Sequence, residues 1–271
     1  MIQEAKFRTD LIFDTHAHYD DQQFDCDREV LLRSMAGQGI GYIVNVGASL
    51  DSSASSVKLS ERYPFIYAAV GVHPNETGEL KKDSLQELKS MALKDKSVAV
   101  GEIGLDYHFM EPDEKTQKYW FEAQLDLAAE LKMPVIIHSR EAAKDTMDII
   151  KKYTDKLSGG VIHCYSYSRE LALEYAAMGY HIGVGGVLTF NNGKKLAESV
   201  AALPLNRIVL ETDCPYLSPE PFRGKRNDSS RIHYVAERMA ELLGRQKEDI
   251  IRITCENALK MYQLGRKQLG E

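Results

Sequence analysis

Short apolar runs recur along the chain, each followed by a stretch in which apolar and charged residues interleave at helical spacing. The runs are Leu11–Asp14, Gly41–Val46, Ile66–Val72, Val98–Ile103, Pro134–His138, Gly160–His163, Tyr180–Val184 and Arg207–Glu211. They are strand-sized and lack clean alternation, as expected of strands buried on both faces. Helical patterns occupy Arg28–Gly37, Leu50–Tyr63, Leu85–Leu93, Lys115–Leu131, Ala142–Tyr153, Arg169–Met178 and Lys194–Leu203, and Arg231–Leu243 and Glu248–Leu264 follow at the end. Ala123, Leu125, Leu127, Ala128 and Leu131 show the signal, set among Glu122, Asp126 and Glu130.

Strands alternating with helices imply a parallel sheet. Eight such units predict an α/β fold with a closed (β/α)8 TIM barrel, and an open doubly wound sheet is the alternative topology. No linker, low-complexity segment or composition break divides the chain, so residues 1–271 read as one domain. The 44% hydrophobic content suffices for a sizeable core. A net charge of −6 argues against a protein that coats duplex DNA through a basic stripe. It leaves room for an enzyme that takes a nucleic-acid end in a small local site. Cys26, Cys164, Cys214 and Cys255 are far apart and form no CxxC, so they read as reduced thiols. The N-terminus shows no signal peptide and no apolar stretch approaches a membrane span, so the expected location is the cytoplasm, without membrane contact.

A barrel puts its chemistry at the C-terminal ends of its strands. The first run is followed by His16 and His18, which a strand would point the same way. The third leads to His73, the fourth to Glu102 and on to Leu105-Asp106, the fifth to His138-Ser139-Arg140, the sixth to His163 and the eighth to Glu211-Thr212-Asp213. Histidine and carboxylate are costly to bury without partners. Their recurrence on six of eight strand ends therefore points to metal binding. The set exceeds the needs of one tetrahedral ion and suits two divalent cations roughly 3.5–4 Å apart. Glu102 is the natural bridge, with His16, His18 and Asp213 on one cation and His138 and His163 on the other. The donors admit Zn2+, Mn2+, Ni2+ or Mg2+. His73 is open between substrate, metal and loop shaping. His108, His181 and His233 read as structural or surface residues.

The residues DTHAH, GVHP, GEIGLDYH, PVIIHSR, VIHCYS, GVGGVLTF, ETDCPYL and RGKRN stand in the order of the TatD family of metal-dependent hydrolases. The chain resembles that family from about Leu11 to Tyr262. The resemblance implies an amidohydrolase-like barrel and a two-metal phosphodiesterase, a deoxyribonuclease acting 3′ to 5′ on single strands. Its metal pattern falls on His16, His18, Glu102, His138, His163 and Asp213. Tyr165 and Tyr167 depart from the family's His-Cys-Phe-Ser-Gly-Ser. A tyrosine in place of glycine disfavours positive φ, so a different loop is expected. Cys214 and Asp228-Ser229 are further departures, and none removes a metal ligand.

Glu102 and Asp213 are the expected catalytic carboxylates, with Asp213 accepting the water proton. Glu211 is expected in barrel packing or beside a ligand. Loops after the seventh and eighth strands of barrels often bind phosphate. Arg223, Arg226 and Asn227, with His73, are accordingly the expected substrate contacts. Tyr107, Tyr216 and Phe222 are candidates for stacking bases. The leading function is a nuclease on single-stranded DNA or RNA ends, with no obligate protein partner. A small-molecule amidohydrolase, esterase or lactonase is the alternative, because one barrel supports many hydrolyses. A non-catalytic metal-binding protein is the third reading.

Overall fold

The computed structural model describes residues 7–264. Eight parallel strands form one sheet in the order β1 to β8: β1 (Ile12–Ala17), β2 (Ile40–Val46), β3 (Ile66–Val70), β4 (Ser97–Asp106), β5 (Val135–Arg140), β6 (Gly160–Ile162), β7 (His181–Val184) and β8 (Ile208–Leu210). The helices are α1 (Arg28–Ser34), α2 (Leu50–Arg62), α3 (Ser84–Ala92), α4 (Glu114–Leu131), α5 (Ala143–Lys152), α6 (Arg169–Ala177), α7 (Lys194–Ala202), α8 (Ile232–Leu243) and α9 (Lys247–Met261). The fold is the (β/α)8 barrel and not the open sheet.

The ring closes between β8 and β1 largely through side chains and a few backbone bonds. Ala17 bridges Cys214, Asp213 N–H donates to His16 O, and His18 N–H donates to Cys214 O. The buried Asp14 carboxylate accepts from Thr212 N–H at 3.0 Å, Thr212 Oγ1 at 2.6 Å and Ser229 Oγ at 2.6 Å. Thr15 Oγ1 donates to Leu210 O.

Alternate strand residues divide between the apolar layer under the helices and the barrel interior, with Ala68 and Val70 of β3 packed against Leu88 and Ala92 of α3. Ile43, Val135, Ile137, Ile162, Ile182, Ile208 and Leu210 pack with the helices. Val44, Ile136, Val161 and Val209 pack with one another and with Ala258 and Leu259 of α9, filling the barrel. Helix α4 shows why the surrounding helices form. Asp113 caps it by accepting from Thr116 N–H at 2.8 Å, and Phe121, Leu125 and Ala128 give it one buried stripe.

Strand β4 is longer than the apolar run predicts, carrying Glu102 and Asp106 within it. Gly104 makes this possible. A Cβ there would lie 1.9 Å from His138 O, so only glycine lets β4 and β5 approach at this level. Tyr167 is not among the residues with positive φ; Cys164 holds that conformation instead, at 45°. The Tyr167 hydroxyl bonds Ser139 Oγ at 2.9 Å and braces the end of β5. All four cysteines are free thiols.

Candidate metal centre

Period-two geometry explains how the strands deliver their polar groups. His138 lies two residues after the barrel-filling Ile136, His163 two after Val161, Glu211 two after Val209, and Asp213 two after that. His73 lies four after Ala69. Strand β1 departs from simple parity, with register irregularities between Ile12 and Phe13 and between Asp14 and Ala17. The outcome is one cluster at the C-terminal mouth, of which His18, His73, Glu102, His138, His163 and Asp213 line a cavity of about 950 Å³.

Glu102 stands at its centre, 4% exposed. Its Oε2 faces His16 Nε2 at 3.7 Å and His18 Nε2 at 3.9 Å. Its Oε1 faces His163 Nε2 at 2.6 Å and His138 Nδ1 at 2.8 Å. Asp213 Oδ1 completes the first group, 3.4 Å from His18 Nε2 and 3.7 Å from His16 Nε2. Within the pairs, His16 and His18 Nε2 are 3.0 Å apart, and His138 Nδ1 and His163 Nε2 are 3.1 Å apart. Two nitrogens each ~2.1 Å from one cation and at a right angle would lie about 3 Å apart. The donor set therefore fits divalent cations: His16, His18 and Asp213 form one compact group, and Glu102 forms others with His16 and His163 and with His73 and His138.

Neighbours fix which ring nitrogen is free. His18 Nδ1 meets Val46 O at 2.9 Å, and a carbonyl only accepts, so the proton sits on Nδ1 and Nε2 is left for a cation. His138 Nε2 meets Asp106 Oδ2 at 3.2 Å, which leaves Nδ1 for a cation. His73 is the opposite case. Its Nδ1 accepts from Asn75 N–H at 3.2 Å, so the neutral ring carries its proton on Nε2. That Nε2 lies 3.9 Å from Glu102 Oε1, and spacing alone would group His73 with Glu102 and His138. The tautomer makes it a hydrogen-bond donor to the cavity.

The electrostatics follow. Burial and the neighbouring imidazoles hold His16 well below the ordinary histidine range, and burial and His138 hold His73 down to about 4. For His18 and His138 burial is outweighed: Asp213 lifts the former to about 9, and Asp106 and Glu102 lift the latter to about 9. Burial likewise opposes ionisation of Glu102, but His163 and the hydrogen bond to His138 hold it well below the usual carboxylate range. Glu211 is buried with Oε1 accepting from Cys164 N–H at 2.6 Å and Oε2 unpartnered. Burial pushes it up to about 8.

The structure does not bring the expected phosphate clamp to this cavity. Arg226 folds back onto Asp27, bonding both carboxylate oxygens at 2.9 and 2.6 Å. Asn227 is fully buried; its Nδ2 donates to Thr212 O and Tyr216 O, and its Oδ1 accepts from Asp228 N–H, which leaves nothing for a substrate. Arg223 is exposed, with its guanidinium 4.3 Å from the centre of the Phe190 ring. None of the three lines the cavity. Of the aromatic candidates Tyr216 does, whereas Phe222 packs on Tyr234 and Tyr107 bonds Asp145. His108 pairs with Glu141, His233 bonds Gln38 O and His181 is buried away from the site.

Asp106 and Arg140 also line the mouth. The signal for Asp106 was its even spacing, four residues, from Glu102 on one strand. Arg140 likewise lies two residues beyond His138.

Among the described residues, no helix is long and apolar enough to cross a membrane. The model of the TatD related DNase family matches residues 13–263. An uncharacterized metal-dependent hydrolase, YabD of Bacillus subtilis, is 40% identical, over 94% of this chain and all of that protein. The protein named 3′-5′ ssDNA/RNA exonuclease TatD of Citrobacter rodentium is 30% identical, over 94% of this chain and 99% of that one. Among solved structures, the TatD homolog YjjV from Escherichia coli K12 superposes with a TM-score of 0.89 at 31% identity, covering 95% of this chain and all of that one. The chain belongs to the TatD family of metal-dependent hydrolases.

Proposed function

We propose that this protein hydrolyses phosphodiesters at the ends of single-stranded DNA or RNA, with two divalent cations that His16, His18, Glu102, His138, His163 and Asp213 would hold. The observation that carries the reading is the division of the Glu102 oxygens, one toward each histidine pair. Such cations would supply Lewis-acid activation of phosphate and water.

The protein's own groups do the rest. Asp213, at the mouth with φ 56°, presents a carboxylate that accepts the proton of the attacking water. Water adds to phosphorus, the ester P–O bond breaks, and the leaving alkoxide takes the proton back from Asp213 and departs as an alcohol. His73, neutral at working pH, donates Nε2–H to a phosphoryl oxygen. The nucleic-acid assignment draws on relatives named as single-strand exonucleases.

The test is hydrolysis of labelled single-stranded DNA and RNA by protein loaded in turn with Mg2+, Mn2+, Zn2+ and Ni2+. Progressive shortening with at least one cation, lost in His138→Ala, is the expected result. Cleavage of nitrophenyl esters or lactones with both polynucleotides left intact would overturn it.

A further inference from the structure

The walls of the cavity differ in charge. In an eight-stranded ring, β8 and β1 stand across from β4 and β5. On the β8–β1 side the cavity is lined by Asp20, Asp21 and Tyr216. Both carboxylates are fixed: Asp20 accepts from Asn45 Nδ2 at 2.8 Å and Ser52 Oγ at 2.5 Å, and Asp21 accepts from Tyr216 Oη at 2.9 Å and Gln23 N–H at 2.8 Å. On the β4–β5 side stand Phe109 and Arg140. Arg140 is the one lysine or arginine among the described residues lining the cavity, and none of them forms an ion pair with it. Its guanidinium lies 5.3 Å from the centre of the Phe109 ring, and Phe109 is 60% exposed.

A single strand threaded through such a cleft would carry phosphates past both walls. At the Arg140 wall a phosphate meets a free guanidinium, and the adjoining base meets an open aromatic face. At the opposite wall a phosphate meets two carboxylates that cannot swing away, because each is held by its own donors. A terminal nucleoside has no further phosphate and avoids that repulsion. It offers hydroxyls that carboxylates accept, and a base for the face of Tyr216.

Building on the nuclease reading above, we infer that Asp20 and Asp21 select strand ends. They admit a terminal nucleoside and refuse a continuing strand, while Arg140 and Phe109 hold the strand where it leaves the site. The acidic wall makes the cleft an end-reader, and the basic wall sets the direction in which the polymer lies.

The test gives metal-loaded protein one single-stranded sequence as a line and as a covalently closed circle. The line should be degraded and the circle cut at least about tenfold more slowly, one tenfold step being a small difference in barrier. Asp21→Asn, and more strongly the Asp20→Asn/Asp21→Asn pair, should raise the circle-to-line rate ratio about tenfold. Asp21→Asn alone decides if the pair disturbs Asn45 and Ser52. Arg140→Ala should raise KM on the line and reduce the slope of log KM against log salt by about 0.7, the loss of one phosphate contact on a single strand. Phe109→Ala should raise KM by about tenfold with the salt slope unchanged. A wild-type enzyme that cuts circle and line equally overturns the inference together with cleavage at strand ends, and leaves phosphodiester hydrolysis of single strands standing; Arg140→Ala with wild-type KM and slope overturns the inference alone. Failure to cut either form, with turnover of a simple ester, overturns both.

Discussion

Asp106 and His138 meet at 3.2 Å, carboxylate Oδ2 against ring Nε2. The carboxylate is itself held, because Oδ1 accepts from His108 N–H at 2.9 Å and Gln117 brackets the Asp106 backbone through its N–H and its carbonyl. Burial opposes its ionisation, but His138 and the loop amides hold it down to about 2. Asp106 thus turns His138 so that Nδ1 faces Glu102. Asp106→Asn should weaken binding of the cation on the His138 side about 10- to 100-fold, the usual effect of losing a group that orients a ligand. Metal titration with elemental analysis reads it directly. Two equally tight equivalents in the variant would show that the contact does not orient the ring.

Metal binding should release protons. His18 and His138 are raised to about 9, so both rings are protonated at neutral pH before a cation arrives, and both must give up a proton to ligate. Apparent affinity should fall as pH drops below about 9, by up to tenfold per unit for each cation whose histidine must deprotonate. Calorimetry in two buffers of different ionisation enthalpy counts the protons. Release of none at pH 7 would contradict the assignment of these rings as ligands.

His73 separates ligand from donor by its tautomer. His73→Ala should keep the full metal content and lose about 10²–10³-fold in kcat, the scale for removing one donor to a developing negative charge. A variant that loses metal in proportion to activity would place His73 among the ligands instead.

The ring of eight strands and the carboxylate at its centre were legible because both rest on short-range rules. Val161 and His163 illustrate this: a buried strand hides residue i inside the barrel, and residue i+2 must then emerge at the mouth. The clamp expected from Arg223, Arg226 and Asn227 was not legible. Its position depends on how the long segment after Asp213 folds, and no periodicity governs that path. Asp27, roughly two hundred residues away, captures Arg226, and an ion pair across such a separation leaves no local trace in sequence. The role of His73 also turns on a single backbone N–H from Asn75, which no residue pattern reveals.

Asn227 should behave as a brace. Asn227→Ala removes both donors to Thr212 O and Tyr216 O and leaves those carbonyls without them in a buried loop. A loss of about 1–3 kcal/mol in stability is expected. Arg226→Ala, which breaks a partly exposed pair with Asp27, should cost about 1 kcal/mol or less. Urea melts followed by circular dichroism rank the two. A neutral Asn227→Ala with sharply raised KM would return Asn227 to the substrate.

Glu211 gives the metal-free protein a pH signature. Burial raises its carboxyl to about 8 in the folded state from an ordinary 4.5. Between those values the folded protein holds a proton that the unfolded chain has released, so stability must fall as pH rises across the window, and the full loss is present above pH 8. The loss should be on the order of a few kcal/mol at most. Gly183 gives the carboxyl its space, since a Cβ there would stand 2.2 Å from Glu211 Oε2. Glu211→Gln can still accept from Cys164 N–H through its amide oxygen but has no proton to lose. Its melting temperature should track wild type near pH 4.5 and exceed it increasingly toward pH 8. Parallel curves for the two proteins would mean that Glu211 is ionised in the fold and that a group not yet identified compensates its charge.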